Sequence, residues 1–76
     1  MSKLLEGLEP RRKRAGLSQA DLSIKSGIKL WTIQKHEAGK YQGINGKTLT
    51  ALALALECKP YELFLPLDWD KPKTAA

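Results

Sequence analysis

The sequence predicts an all-α, compact five-helix domain. Two observations carry this expectation. No stretch alternates apolar and polar residues long enough to make a strand, and apolar residues recur at the helical period along the chain. Glycines and prolines then divide that pattern into short segments. At 76 residues the chain is one domain. A domain of this size buries only about 60% of its unfolded surface, so it is marginal alone and gains from a partner. Residues 1–66 are expected to form the domain, with residues 67–76 as a C-terminal tail.

The first helix is expected from Lys3 to Ala15, with Leu4, Leu5 and Leu8 ahead of the basic run Arg11-Arg12-Lys13-Arg14. Pro10 cannot donate a backbone hydrogen bond. The segment therefore either kinks or restarts with Pro10 at a first helical position. The second helix, Gln19 to Ser26, is better marked. Ser18 and Asp21 have the spacing of a capping box, and the aspartate charge suits the positive helix end. This helix buries Leu22 and, near its start, Leu17. Gly27 stands where a helix stops in a left-handed conformation. Only Ile28 and Lys29 follow before helical character resumes from Leu30 to Ala38, with Ile33 toward the core and Gly39 as the next stop. A helix, a short glycine turn and another helix make a helix-turn-helix unit.

The loop Lys40–Gly46 carries two more glycines, and the fourth helix is expected from Lys47 to Leu56. There Leu49, Leu52, Ala53 and Leu56 fall at i, i+3, i+4 and i+7, a core face. Pro60 opens a short fifth helix through Phe64. After Pro66 the tail Leu67–Ala76 lacks a helical period and is expected to fray.

Composition narrows the function. The net charge is +5, and the first forty residues, with nine Lys/Arg against four Asp/Glu, hold all of it. Such asymmetry points to a polyanionic partner, most often nucleic acid, against the plainer reading of a solvated basic surface. One cysteine, Cys58, precludes an internal disulfide and fits a reducing, cytoplasmic setting. One histidine and one cysteine cannot supply a usual zinc site. No apolar run approaches a membrane span, the N-terminus lacks the apolar core of a signal peptide, and no cofactor or small-molecule ligand is indicated. No nucleophile–base set and no phosphate loop occurs, so an enzyme is not expected.

The stretch from Gly16 through Ser23, then Ser26-Gly27-Ile28, Thr32-Ile33 and Glu37-Ala38-Gly39-Lys40, resembles the phage repressor/Cro-type helix-turn-helix family, also called the xenobiotic-response-element family. Thr48-Leu49 through Leu56, and Lys59 through Phe64, fit that family's fourth and fifth helices. The resemblance covers residues 8–65 and implies a lambda-repressor-like domain that binds operator DNA, usually as a dimer. Several positions depart from the pattern. Arg11 stands where leucine is usual, with Pro10 before it. The loop ahead of Leu49 is about one residue longer. Glu57 takes the place of a helix-ending glycine, and His36 that of an Ile or Leu.

The third helix is the one expected in the major groove, reading bases from its N-terminal residues Lys29, Leu30, Trp31 and Thr32, with Gln34 and Lys35 following. Lys29 opposes the helix dipole unless a phosphate lies nearby, the alternative being a tolerated solvent lysine. Gln19 matches the family position that holds a backbone phosphate; otherwise it is an exposed glutamine. Thr32, Gln34 and Lys35 are candidates for base edges, since Gln suits adenine, Lys suits guanine and a Thr methyl meets a thymine methyl. Leu30 and Trp31 either touch thymine methyls and sugars, fold back onto the domain, or meet a protein. Arg12 and Glu37 match family positions that pair the first helix with the third and orient the arginine toward the phosphates; as a surface pair they would contribute only ~0–1 kcal/mol. Lys40, Arg14 and Lys47 are further phosphate candidates. His36 and Cys58 read as packing residues.

The expectation is a sequence-specific transcriptional regulator, a repressor acting as a homodimer on a palindromic operator in double-stranded DNA. Leu54, Leu65, Leu67 and Trp69 are the apolar residues available to the dimer surface. The rival is a protein-interaction module of the same fold, an antitoxin or coactivator, using the third-helix face for a protein partner.

Overall fold

The structure, a computed structural model, describes residues 3–67. Four α-helices occupy them: α1 (Leu8–Arg14), α2 (Gln19–Ser26), α3 (Leu30–Glu37) and α4 (Gly46–Ala55), followed by a 3-10 turn over Pro60–Phe64. No strand occurs among the described residues. Trp69 and the rest of the tail beyond Leu67 lie outside them.

The expected fifth helix is thus a short 3-10 helix of five residues rather than an α-helix. Its length is set by two prolines. Pro60 opens it, and Pro66 disfavours helical backbone at Leu65, which is extended at φ −107°, ψ 149°. The turn still contributes a fully buried side chain, Leu63, and is tied at its start by the Lys59 N–H, which donates to Glu62 Oε1 at 2.7 Å.

The first helix is shorter than expected, beginning at Leu8 rather than Lys3. Pro10 neither kinks it nor starts it. It sits third in the helix, among the first-turn positions whose N–H has no intrahelical acceptor. The reason for the late start lies at Gly7. Its N–H donates to the Leu63 carbonyl at 3.0 Å instead of to a helical carbonyl. A Cβ there would stand 2.5 Å from the Leu65 oxygen and 2.8 Å from that of Glu62. The chain enters the domain by laying its glycine backbone against the 3-10 turn, and only then coils into α1.

Helix α2 runs over the expected residues. The capping box closes in both directions, with the Asp21 N–H donating to Ser18 Oγ and the Ser18 N–H to Asp21 Oδ2, each at 2.9 Å. Helix α4 begins one residue early because Asn45 caps it, its Oδ1 accepting from the Thr48 N–H at 2.8 Å. It ends in a Schellman pattern, Cys58 N–H to the Ala53 carbonyl and Glu57 N–H to that of Leu54, as α1 and α3 do at Gly16 and Gly39. Here the left-handed residue is Glu57, at φ 56°, the sole non-glycine among the described residues with positive φ.

The core gathers Leu5, Leu8, Leu22, Ile33, Leu52, Ala53, Ala55 and Leu63. Leu17, Leu49 and Leu56 pack against it half-buried. Helix α2 lies against both α3 and α4, and α4 against the 3-10 turn. This packing leaves one face of α3 outside.

Candidate nucleic-acid interface

The outward face of α3 is fixed by what holds α3 to α2. Gly27 lies in the left-handed region at φ 78°, where a side chain would be strained. Two serines then clasp the turn. Ser23 Oγ donates to the Ile28 carbonyl at 2.6 Å, and the Ile28 N–H donates to Ser26 Oγ at 3.1 Å. Ser26 Oγ in turn donates to the Leu22 carbonyl at 2.7 Å. Below the turn Leu22 and Ile33 are fully buried. Backbone, hydroxyls and core together set the angle of α3.

Along α3, Ile33, His36 and Glu37 face inward, and Leu30, Trp31, Gln34 and Lys35 are exposed. Trp31 is 52% and Leu30 38% accessible, so neither folds back into the core. Lys29 is the N-cap, exposed and extended, with no side-chain cap of its own. Thr32 is half-buried at the rim of a cleft. One contact joins two of the exposed residues: Lys35 Nζ lies 5.4 Å from the centroid of the Trp31 ring.

Behind this face lies a polar network. Arg12 donates from Nε to Glu37 Oε2 at 2.6 Å and from Nη2 to Glu37 Oε1 at 2.9 Å. Its Nη1 donates to the Leu17 carbonyl at 2.8 Å. Gln19 Nε2 also donates to Glu37 Oε1, at 2.9 Å. Arg12 and Glu37, expected as a surface pair, are both buried, at 7% and 5% exposure. That changes its worth, because removing one partner from a buried pair strands a charge. It also changes the place of Arg12, which is turned inward and bears on the outer face through Glu37 and Gln19.

Lys40 follows α3, its N–H donating to the Lys35 carbonyl at 2.9 Å, and its side chain is exposed, as are Arg14 and Lys47. No ion pair holds Lys29, Lys35 or Lys40 among the described residues. Elsewhere Glu9 is paired with Lys13 and Lys3, which hold its carboxyl below the ordinary range. Three of the cations without an ion pair among the described residues, Lys29, Lys35 and Lys40, thus sit on or beside α3.

Between α3, the following loop and α4 lies an open cleft of about 290 Å³, lined by Thr32, His36, Tyr41, Ile44, Asn45 and Thr48. His36 is more deeply buried than a rim residue, at 4% exposure, with its ring edge-on to Tyr41 at 4.6 Å. Its Nδ1 is buried with no hydrogen-bond partner among the described residues, and burial pushes the imidazole pKa below its ordinary value. Cys58 is half-buried, and burial pushes its thiol up. Among the described residues no group of three or more His, Cys, Asp or Glu could hold a metal ion, and no helix is long and apolar enough to cross a membrane.

Four features of the site escape the sequence reading. The Ser23 and Ser26 hydroxyls make only local bonds, two to five residues along the chain, whereas the Gln19–Glu37 bond joins residues eighteen apart, a spacing with no local signature. The His36–Tyr41 contact depends on the path of the loop. The Asn45 cap was open to view, since Asn45 with Thr48 three residues on has N-cap spacing.

A family model for the Cro/C1-type helix-turn-helix DNA-binding domain matches residues 8–65. No curated protein and no solved structure matches the chain.

Proposed function

The chain belongs to the Cro/C1-type helix-turn-helix DNA-binding family, and on that footing we propose that it is a sequence-specific repressor that binds a palindromic operator as a homodimer. The observation that carries this reading is the exposed face of α3, flanked by Lys29, Lys35 and Lys40 with no acid pairing them among the described residues. Lys29 and the start of α3 meet one phosphate, where the anion suits both the lysine and the helix dipole. Gln19, held by Glu37 through one amide hydrogen, offers the other to a second phosphate. Arg12 positions both through Glu37. Lys40, with Arg14 and Lys47, extends the backbone contacts. Leu30, Trp31, Thr32, Gln34 and Lys35 face the bases, where specificity is read.

The dimer surface comes from α4 and the 3-10 turn. Leu54, Tyr61 and Phe64 are the exposed apolar side chains there, whereas Leu65 and Leu67 are half-buried. The protein acts in the cytoplasm, without cofactor or catalysis of its own.

Selection from a randomised duplex library tests this reading. It predicts an inverted repeat whose half-site centres lie about one helical turn, 10 bp, or a multiple of it apart. Enrichment of a single unrepeated half-site would remove the dimer. No enrichment, with a protein captured through Leu30 and Trp31 instead, would favour the protein-interaction reading that those two apolar residues suggest.

A further inference from the structure

We infer that Trp31 is a positioning residue for Lys35, and that the two act as one reader of a guanine in each half-site. The inference rests on the DNA-binding reading above and adds to it which base is read and how.

Lys35 stands one helical turn after Trp31, so the two share a face of α3. Side chains on a helix lean toward its N-terminus, which carries the lysine stem back along the helix. The ammonium comes to lie 5.4 Å from the Trp31 centroid. That is within the range in which the ring face attracts a cation, an attraction of about two- to fivefold in population at an exposed site. Trp31 itself is half-exposed and Lys35 is held by no ion pair among the described residues, so the ring is the partner that sets where the charge stands.

Position matters more than charge here. Lys35 is the sixth of eight residues in α3, toward the end that is further from the groove in a helix reading with its N-terminal residues. Stacked on Trp31, the second residue, its ammonium is returned to the reading end. A compact ammonium there distinguishes bases by their major-groove edges. Guanine offers two adjacent acceptors, N7 and O6. Adenine replaces O6 with an amino donor, cytosine presents an amino donor, and thymine places a methyl group beside its single acceptor. A lysine free to swing over its four-carbon stem would meet phosphates as readily as bases. Held on the ring, it favours guanine.

The test is binding-site selection with the wild-type protein and with Lys35→Met, Trp31→Leu and Trp31→Tyr, each checked for an unchanged thermal midpoint. Trp31→Leu keeps apolar bulk and removes the ring face; Trp31→Tyr keeps a face. The expected result is one strongly enriched guanine per half-site in the wild type, flattened by Lys35→Met and also by Trp31→Leu, and retained by Trp31→Tyr. On the wild-type operator, Lys35→Met and Trp31→Leu should each weaken binding by about tenfold. The double variant should lose much less than the product of the two. Multiplicative losses, or a guanine column intact in Trp31→Leu, overturn the coupling while leaving DNA binding in place. A wild-type protein that enriches no sequence overturns the functional reading, and this inference with it.

Discussion

The Arg12 guanidinium grips the Glu37 carboxylate side-on, with Nε–H to Oε2 at 2.6 Å and Nη2–H to Oε1 at 2.9 Å, and so ties α1 to the last turn of α3. The same carboxylate takes a third hydrogen bond, from Gln19 at the first residue of α2. One buried anion thus joins the three helices that carry the interface.

Removing that anion leaves Arg12 charged and buried. Glu37→Ala should cost about 3–5 kcal/mol. That is a large share of the ~5–15 kcal/mol typical of a whole domain. Thermal melts followed by circular dichroism should show a midpoint lower by about 10 °C or more. Arg12→Met with Glu37→Leu should recover most of the stability, since well-packed apolar replacements for buried pairs are often neutral. A midpoint unmoved by Glu37→Ala would mean that the pair is solvated.

Backbone geometry gives a second set of outcomes. Gly27→Val puts a β-branched residue at φ 78° and should cost at least about 1 kcal/mol. Glu57→Gly should act in the opposite sense, relieving a non-glycine at φ 56° for a gain of up to about 1 kcal/mol. The Lys25–Glu57 pair lost with it, at 4.0 Å and exposed, offsets little. Denaturant midpoints measured for the two variants should move in opposite directions.

His36 gives a pH dependence. Burial favours the neutral ring, so its folded pKa lies below the ordinary 6.5. The stability this represents is fully present above the unfolded value. It is lost as pH falls through that value toward the folded one, and the curve flattens below it. His36 is the single histidine in the chain, so between about pH 5 and 7 its titration stands apart from the carboxylates. Melting midpoints should fall on acidification across this window, and His36→Leu should flatten the slope. A wild-type midpoint level from pH 7 to about 5 would show that the ring is hydrated.

Much of this fold was legible in the chain because its signals are local. The Ser18–Asp21 box and Gly27 each act over a few residues, and α2 emerged with its expected ends. The start of α1 was not, because Leu4, Leu5 and Leu8 satisfy a helical period, and the reason the helix waits until Leu8 is a backbone contact between Gly7 and residues 62–65. The same limit applies at the interface. The residue types on α3 could be read off, but the burial of Arg12 and the sharing of Glu37 with Gln19 depend on three helices meeting.

Phosphate holding and base reading should separate by mutation. Gln19→Ala and Lys29→Ala remove contacts to a uniform backbone, so both should weaken operator and random duplex alike. Gln34→Ala should cost ~1–3 kcal/mol on the operator and leave random-duplex affinity nearly unchanged. Competition binding with labelled operator reports both. A Lys29→Ala variant that loses only operator affinity would move Lys29 from the phosphates to the bases.

The most direct measurement for the account as a whole is the salt dependence of duplex binding. If the cations around α3 neutralise five to seven phosphates per dimer, the slope of log K against log salt should be roughly −4 to −6. A slope near zero would contradict the assignment of this face to DNA.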